Sequence, residues 1–142
     1  MIEATGDMWS MQANAVCVTT NGSINRFGHA VMGRGVALQA SRRFPGLARE
    51  LGRRIGLGGN HVYYFETLRP GLFSFPVKHA WHERADIGLI CKSAMALEAW
   101  VTVLRFNKVL LPRPGCGNGG LDWKDVRPAI EWLPDSIVVV TL

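Results

Sequence analysis

Lys108-Val109-Leu110-Leu111-Pro112-Arg113-Pro114-Gly115-Cys116-Gly117-Asn118-Gly119-Gly120-Leu121-Asp122-Trp123 runs from an apolar, strand-like segment through a glycine turn into an amphipathic segment marked by Trp123, Val126, Ile130 and Leu133. A strand, a glycine turn and a helix start in that order read as an α/β unit with a cradle for an anion. Glycine alone tolerates positive φ and lets backbone amides approach a phosphate without a Cβ in the way. Gly115, Gly117 and Gly120 also satisfy a GxGxxG spacing. Alone that spacing is a weak sign, and a tight strand-to-helix turn explains it equally well.

Upstream of this unit, Ile87, Ile90, Ala94, Leu97, Val101 and Leu104 recur three or four residues apart and predict a helix with one continuous apolar face. Residues 61–65 and 72–77 are aromatic, strand-like runs separated by Arg69-Pro70-Gly71, to be paired as a hairpin or placed close together in one sheet. Val36, Ala37 and Ala40 predict a helix that stops near Phe44-Pro45, because the residue before proline avoids the α region. Pro45 suits the first turn of another helix with Leu47, Leu51 and Ile55 inward, ending at the loop 56–60. Residues 2–5 and 15–19 are short β-like runs, Asn21-Gly22-Ser23 is a turn, and residues 137–140 form a last strand. Pro128 is expected to make the first turn of the last helix irregular. The order ββααββαβαβ predicts one α/β domain over residues 1–142, a mixed sheet covered by helices on both faces.

Composition narrows the partners. A chain of 142 residues, 48% hydrophobic and 19% charged, suits one globular domain. No apolar stretch approaches the roughly 20 residues that span a bilayer, and the N-terminus has no signal-peptide core, so the expectation is a cytoplasmic protein without a membrane partner. Cys17, Cys91 and Cys116 are odd in number with no CxxC spacing, against a disulfide framework or a metal site. Cys116 is also a candidate nucleophile by its place in the glycine loop, though no histidine partner is readable. The net charge of +5 favours an anionic partner. Arg42, Arg43, Arg49, Arg53 and Arg54 at helical spacing are either a phosphate-attracting face or a solvated helix surface.

A layered fold of this kind gathers ligands at the carboxyl ends of its strands. Three segments meet there: Thr5-Gly6-Asp7, residues 21–35, and the glycine loop 115–120. Two facing loops of amides straddle a diphosphate better than a single phosphate. Asp7 is placed either to accept from an exocyclic amine such as that of adenine or to cap a helix.

Gly6-Asp7, Val31-Met32-Gly33-Arg34-Gly35-Val36-Ala37-Leu38-Gln39, Phe75-Pro76-Val77-Lys78-His79-Ala80-Trp81 and Gly115-Cys116-Gly117-Asn118-Gly119-Gly120-Leu121-Asp122-Trp123 resemble, in order and spacing, the macrodomains, which bind ADP-ribose. The resemblance covers nearly the whole chain and is nearest to the branch of the DarG antitoxin and terminal ADP-ribose protein glycohydrolase. It implies a three-layer α/β/α fold around a mixed six-stranded sheet, with no metal and no redox cofactor. It further implies that Asp7 and Met8 hold adenine, and that Met32, Gly33, Arg34, Gly35 and Val36 lie along the diphosphate and distal ribose. Pro114, Gly115, Cys116, Gly117, Asn118, Gly119, Gly120 and Leu121 would face them from the other side.

By the same resemblance Asn21 positions the distal ribose, although the inserted residues 23–27 leave a loop turn as its other reading. Lys78 matches the lysine that acts on that ribose, as a nucleophile or as a cation stabilising a leaving group. Gly119 stands where a relative has an acid, and Asp122 reads as a helix cap. His79 and Trp81 are candidate contacts for a modified base, with core packing the alternative for Trp81 and His82 beside it at the rim. His61 reads as a surface or hydrogen-bonded structural residue.

The function implied is removal of ADP-ribose from thymidine in single-stranded DNA by a monomer. The alternatives are a non-catalytic ADP-ribose reader and a hydrolase of ADP-ribose 1''-phosphate or of carboxylate-linked protein ADP-ribose. The antitoxin carries a second domain after its macrodomain, whereas this sequence stops after its last strand, so the expectation is either a stand-alone eraser or a piece of a longer protein, with no feature supporting a direct toxin partner.

Overall fold

Alternation of side chains along the central strands divides the core into two layers. The computed structural model describes residues 1–142. It contains β1 (Ile2–Thr5), β2 (Ala15–Asn21), α1 (Gly35–Arg43), α2 (Leu47–Gly58), β3 (Tyr64–Phe65), β4 (Gly71–Lys78), α3 (Ile87–Leu104), β5 (Val109–Pro112), α4 (Trp123–Ile130) and β6 (Ile137–Thr141). Ala15 and Cys17 of β2, Phe73, Phe75 and Val77 of β4, and Val109 and Leu111 of β5 pack against Ile90, Ala94 and Leu97 of α3 and Val126 and Ile130 of α4. Val18 and Leu72, one residue out of phase, face Ala40 of α1 and Leu47, Leu51 and Ile55 of α2. This is the period-two consequence of the pleat.

The six strands lie in the order β1-β6-β5-β2-β4-β3. Every pair is parallel except β3 with β4, so the sheet is mixed and the architecture is α/β/α in three layers. β2 and β4 run in parallel over their whole length, with a register shift after Thr20 that brings Asn21 opposite Lys78. Both strands therefore end at one edge of the sheet.

Several expectations need correction. β3 holds only Tyr64 and Phe65: beyond them Ser74 N still donates to the Tyr63 carbonyl at 3.0 Å, but the return bond is made by a side chain, Tyr63 N donating to Ser74 Oγ at 2.9 Å and Ser74 Oγ donating to the His61 carbonyl at 3.1 Å. A 3-10 turn at Met8–Ser10, absent from the hydrophobic pattern, follows β1. Pro128 lies late in α4 and leaves the first turn regular. The basic residues do not form one stripe: Arg42 and Arg43 end α1, while Arg49, Arg53 and Arg54 lie on α2. Arg43 covers the Trp9 ring at 4.6 Å, and Arg53 and Arg54 both bind Glu50, whose carboxyl they hold at about 2. α3, with 18 residues and mean hydropathy 1.6, is long and apolar enough by composition to cross a membrane; in the fold it packs on the sheet through Leu89, Ile90, Ala94, Leu97 and Val101.

Ser74 is 1% exposed. Replacing it with alanine strips the Tyr63 amide and the His61 carbonyl of their partner, which typically costs about 1–3 kcal/mol for buried groups. Ser74→Ala is expected to lower the urea midpoint by that amount with an unchanged slope.

Candidate active site

Three chain segments leave the sheet at the edge where β2 and β4 end and enclose a cleft of about 780 Å³. That volume is in the range of small-molecule sites. One wall is the start of α1. Arg34 occupies its N-cap without a side-chain cap bond, and the first helical bond is Leu38 N to the Arg34 carbonyl at 3.2 Å. The amides of Gly35, Val36 and Ala37 donate to no protein acceptor, and all three residues line the cleft. Unpaired amides at the positive end of a helix dipole favour an anion.

The opposite wall is the glycine loop after β5. Cys116 N donates to the Arg113 carbonyl, Gly120 N to Gly117 and Leu121 N to Gly115, which leaves the amides of Gly115, Gly117, Asn118 and Gly119 without protein acceptors. Gly115 and Gly120 both have φ of +77°, a region that side-chain-bearing residues avoid. The two walls touch: a Cβ on Gly35 would lie 2.9 Å from Asn118 Nδ2.

Lys78, the last residue of β4, is half-buried in the cleft. Its Nζ has one protein partner, the Trp81 carbonyl at 3.4 Å, and its own carbonyl accepts from Asn60 Nδ2 at 3.0 Å. Asn21 beside it donates through Nδ2 to the Val31 carbonyl at 3.0 Å and accepts the Ser23 amide on Oδ1 at 2.9 Å. Arg34, Lys78, Arg84 and Arg113 line the cleft with Glu83 as its only carboxylate, so the cavity is positive. Arg84 donates to the Gly120 carbonyl at 2.8 Å and Ala85 N to Gly119 at 3.0 Å, strapping the segment after Lys78 onto the glycine loop. No group of three or more His, Cys, Asp or Glu side chains is arranged to hold a metal ion.

No protein-family model matches the chain. In an alignment of 121 positions covering 78% of the chain it is 30% identical to a DNA ADP-ribosyl glycohydrolase of Mycobacterium tuberculosis, and in one of 109 positions covering 71% of the chain it is 34% identical to that of Thermus aquaticus. The matches span 34% and 30% of those relatives, so the chain spans about a third of the length of the curated relatives it matches. Among solved structures, the macrodomain of Thermus aquaticus DarG superposes with a TM-score of 0.81 at 26% identity, covering 99% of this chain and 97% of that one. The macrodomain of Mycobacterium tuberculosis DarG gives 0.80 at 29% identity, covering 95% and 92%.

The chain belongs to the macrodomain family, in its DarG-like branch.

In this macrodomain the expected residues Asn21, Gly33, Arg34, Gly35, Val36, Lys78, Trp81, Gly115, Gly117, Asn118, Gly119 and Gly120 all line one cleft. Asp7, Met8, Met32, His79, Pro114, Cys116 and Leu121 lie outside its lining. Asp7 caps the 3-10 turn, accepting Ser10 Oγ at 2.8 Å and Trp9 N at 3.0 Å, bonds that hold its carboxyl below the usual range. Met8, Met32 and Pro114 are buried. His79 is engaged with Asp86, Nε2 to Oδ2 at 2.8 Å, and that bond lowers the Asp86 carboxyl. Burial pushes the Cys116 thiol up, and its Sγ lies 3.5 Å from the Pro114 carbonyl, outside the cleft lining, with no histidine beside it to support the nucleophile reading. Asp122 occupies the N-cap of α4 but makes no cap bond. Core packing of Trp81 is also overturned: it is 58% exposed at the mouth, its amide donating to Ser23 Oγ at 3.0 Å.

Sequence reasoning passed over Thr19, Thr20, Glu83, Arg84 and Arg113, which also line the cleft. Each lies a few residues from a singled-out position, and proximity along the chain to Asn21, Lys78 and Gly115 was the one available signal.

The glycines are not equivalent. A Cβ on Gly119 would meet the Gly115 carbonyl at 2.5 Å and Ala85 Cβ at 2.8 Å, whereas one on Gly117 meets nothing within 4 Å. Gly119→Ala is expected to destabilise the domain by about 1–3 kcal/mol, the usual cost of overpacking. Gly117→Ala should be near neutral, a contrast that thermal unfolding of the two variants checks.

Proposed function

We propose that this macrodomain binds ADP-ribose and hydrolyses its linkage to thymidine in single-stranded DNA, acting as a cytoplasmic monomer. The observation that carries the reading is the pair of unpaired-amide walls facing each other across a cleft with Lys78 at its edge. The relatives named DNA ADP-ribosyl glycohydrolase at 30% and 34% identity support the choice of linkage. The solved structure of Thermosipho africanus DarTG in complex with ADP-ribose shares the fold, with a TM-score of 0.81 at 20% identity.

In this reading the diphosphate accepts from Gly35, Val36 and Ala37 on one side and Gly117, Asn118 and Gly119 on the other, with Arg34 and Arg113 adding charge. Adenine lies toward Asp7, whose carboxylate keeps acceptor capacity beyond its two bonds. The distal ribose lies toward Lys78, positioned by Asn21, and the thymine stacks at the mouth on Trp81. Hydrolysis breaks the bond between the anomeric carbon and thymine nitrogen, whose electron pair leaves with the base. Lys78 as a cation stabilises that developing negative charge, water supplies the new C–O bond, and its proton passes by way of Glu83 to the departing base.

Gly119 favours one competing reading, a non-catalytic ADP-ribose reader, because the loop has no room there for an acidic side chain. Turnover separates the two. Lys78→Ala is expected to lower release of ADP-ribose from an ADP-ribosylated thymidine oligonucleotide by about 100-fold or more, the usual scale for losing such a group, while calorimetry finds ADP-ribose still bound. Glu83→Gln should lower kcat with KM kept. Equal release by wild type and Lys78→Ala would overturn the lysine mechanism, and binding without turnover of any linkage, including ADP-ribose 1''-phosphate and carboxylate-linked protein adducts, would favour the reader.

A further inference from the structure

We infer that a second groove, between the hairpin after β2 and the outer face of α2, holds the unmodified single strand that flanks the nucleotide in the cleft. The inference rests on the function proposed above. The groove, about 720 Å³, is lined by Ile24, Phe27, Arg49, Glu50, Arg53 and Leu57 together with glycines.

The hairpin is a rigid platform. Ile24 bridges Ala30, Asn25 N donates to the His29 carbonyl at 2.8 Å, and Asn25 Oδ1 accepts the amides of Phe27 and His29. It is pressed onto α2: Ala30 N donates to the Ala48 carbonyl at 2.8 Å, and a Cβ on Gly52 would lie 2.1 Å from the Gly28 carbonyl oxygen. At the tip Phe27 is 69% exposed, with the Arg26 guanidinium 4.8 Å from its ring centroid. A phenyl ring held in water on a braced turn serves no packing purpose. Beside a guanidinium it is a stacking platform for an unpaired base.

Charge selects the occupant. Arg49 makes no ion pair, and Glu50, the one carboxylate in the groove, is bound by both Arg53 and Arg54. Cations next to exposed Phe27, Ile24 and Leu57 match phosphates alternating with apolar bases. The groove is also connected to the cleft mouth. Ser23, at the root of the hairpin, accepts Trp81 N on its hydroxyl and Val31 N on its carbonyl, and Val31 lines the cleft. A strand leaving the cleft over Trp81 has the hairpin as its next surface.

The test compares wild type, Phe27→Ala and Arg49→Ala on ADP-ribosylated thymidine as a mononucleotide and within a single-stranded oligonucleotide of about ten residues, a length matched to typical site sizes. The expected result is a fall of about tenfold in kcat/KM on the oligonucleotide, with a shallower salt dependence for Arg49→Ala, and no change on the mononucleotide. Equal kcat/KM on the oligonucleotide for all three proteins, or an equal loss on both substrates, would overturn the groove. Fluorescence anisotropy with an unmodified labelled thymidine oligonucleotide decides it independently of turnover. Weaker binding by both variants supports the groove even if the hydrolase reading fails, whereas no binding by wild type, as for a groove that serves a protein partner, overturns it.

Discussion

Parallel pairing of β2 with β4 is the constraint on which the rest of this macrodomain depends. Parallel strands end at the same edge, so the chain leaves both at one place, and the shift after Thr20 sets Asn21 beside Lys78. The two outgoing segments are then bonded to each other, Gly22 N to the His79 carbonyl at 3.1 Å and Trp81 N to Ser23 Oγ. β5, parallel to β2 on its other side, delivers the glycine loop to the same edge. An antiparallel pairing would have sent one of these segments to the far side of the sheet.

The cleft's attraction for anions comes from the backbone as much as from charge. Three amides at the start of α1 and four in the glycine loop lack protein acceptors, and the arginines stand around them. Backbone donors are fixed by the fold and lose no rotamer freedom when a ligand arrives, unlike an arginine or lysine recruited from the surface. The separation of the basic residues between α1 and α2 fits this division. Much of the positive charge read in the sequence is engaged away from the cleft, on Trp9 and Glu50.

Periodicity made the layers legible. The helix over 87–104 and the alternation in 72–77 are imposed by burial on one face, and burial writes itself into apolar spacing. The glycine loop was legible because positive φ at Gly115 and Gly120 requires that residue type. What stayed hidden depends on partners remote in sequence. The shortening of β3 arises from one serine hydroxyl on the neighbouring strand, and the strap from Arg84 to Gly120 crosses 36 residues of chain. Glu83 carries no pattern at all; its place in the cleft follows from the path taken after Lys78.

Gly119 sets what the glycine loop can present to the cleft. It stands where a relative of this branch has an acid, and its packing against Gly115 and Ala85 excludes any side chain. At this position the loop therefore offers the cleft backbone and no side chain. Most ionisable side chains of the cleft come from outside the loop: Arg34 from the start of α1, and Lys78, His82, Glu83 and Arg84 from the end of β4 and the segment after it. Ala85 N donates to the Gly119 carbonyl, so the packing that keeps a side chain off Gly119 also ties the segment carrying Lys78 and Glu83 to the glycine loop.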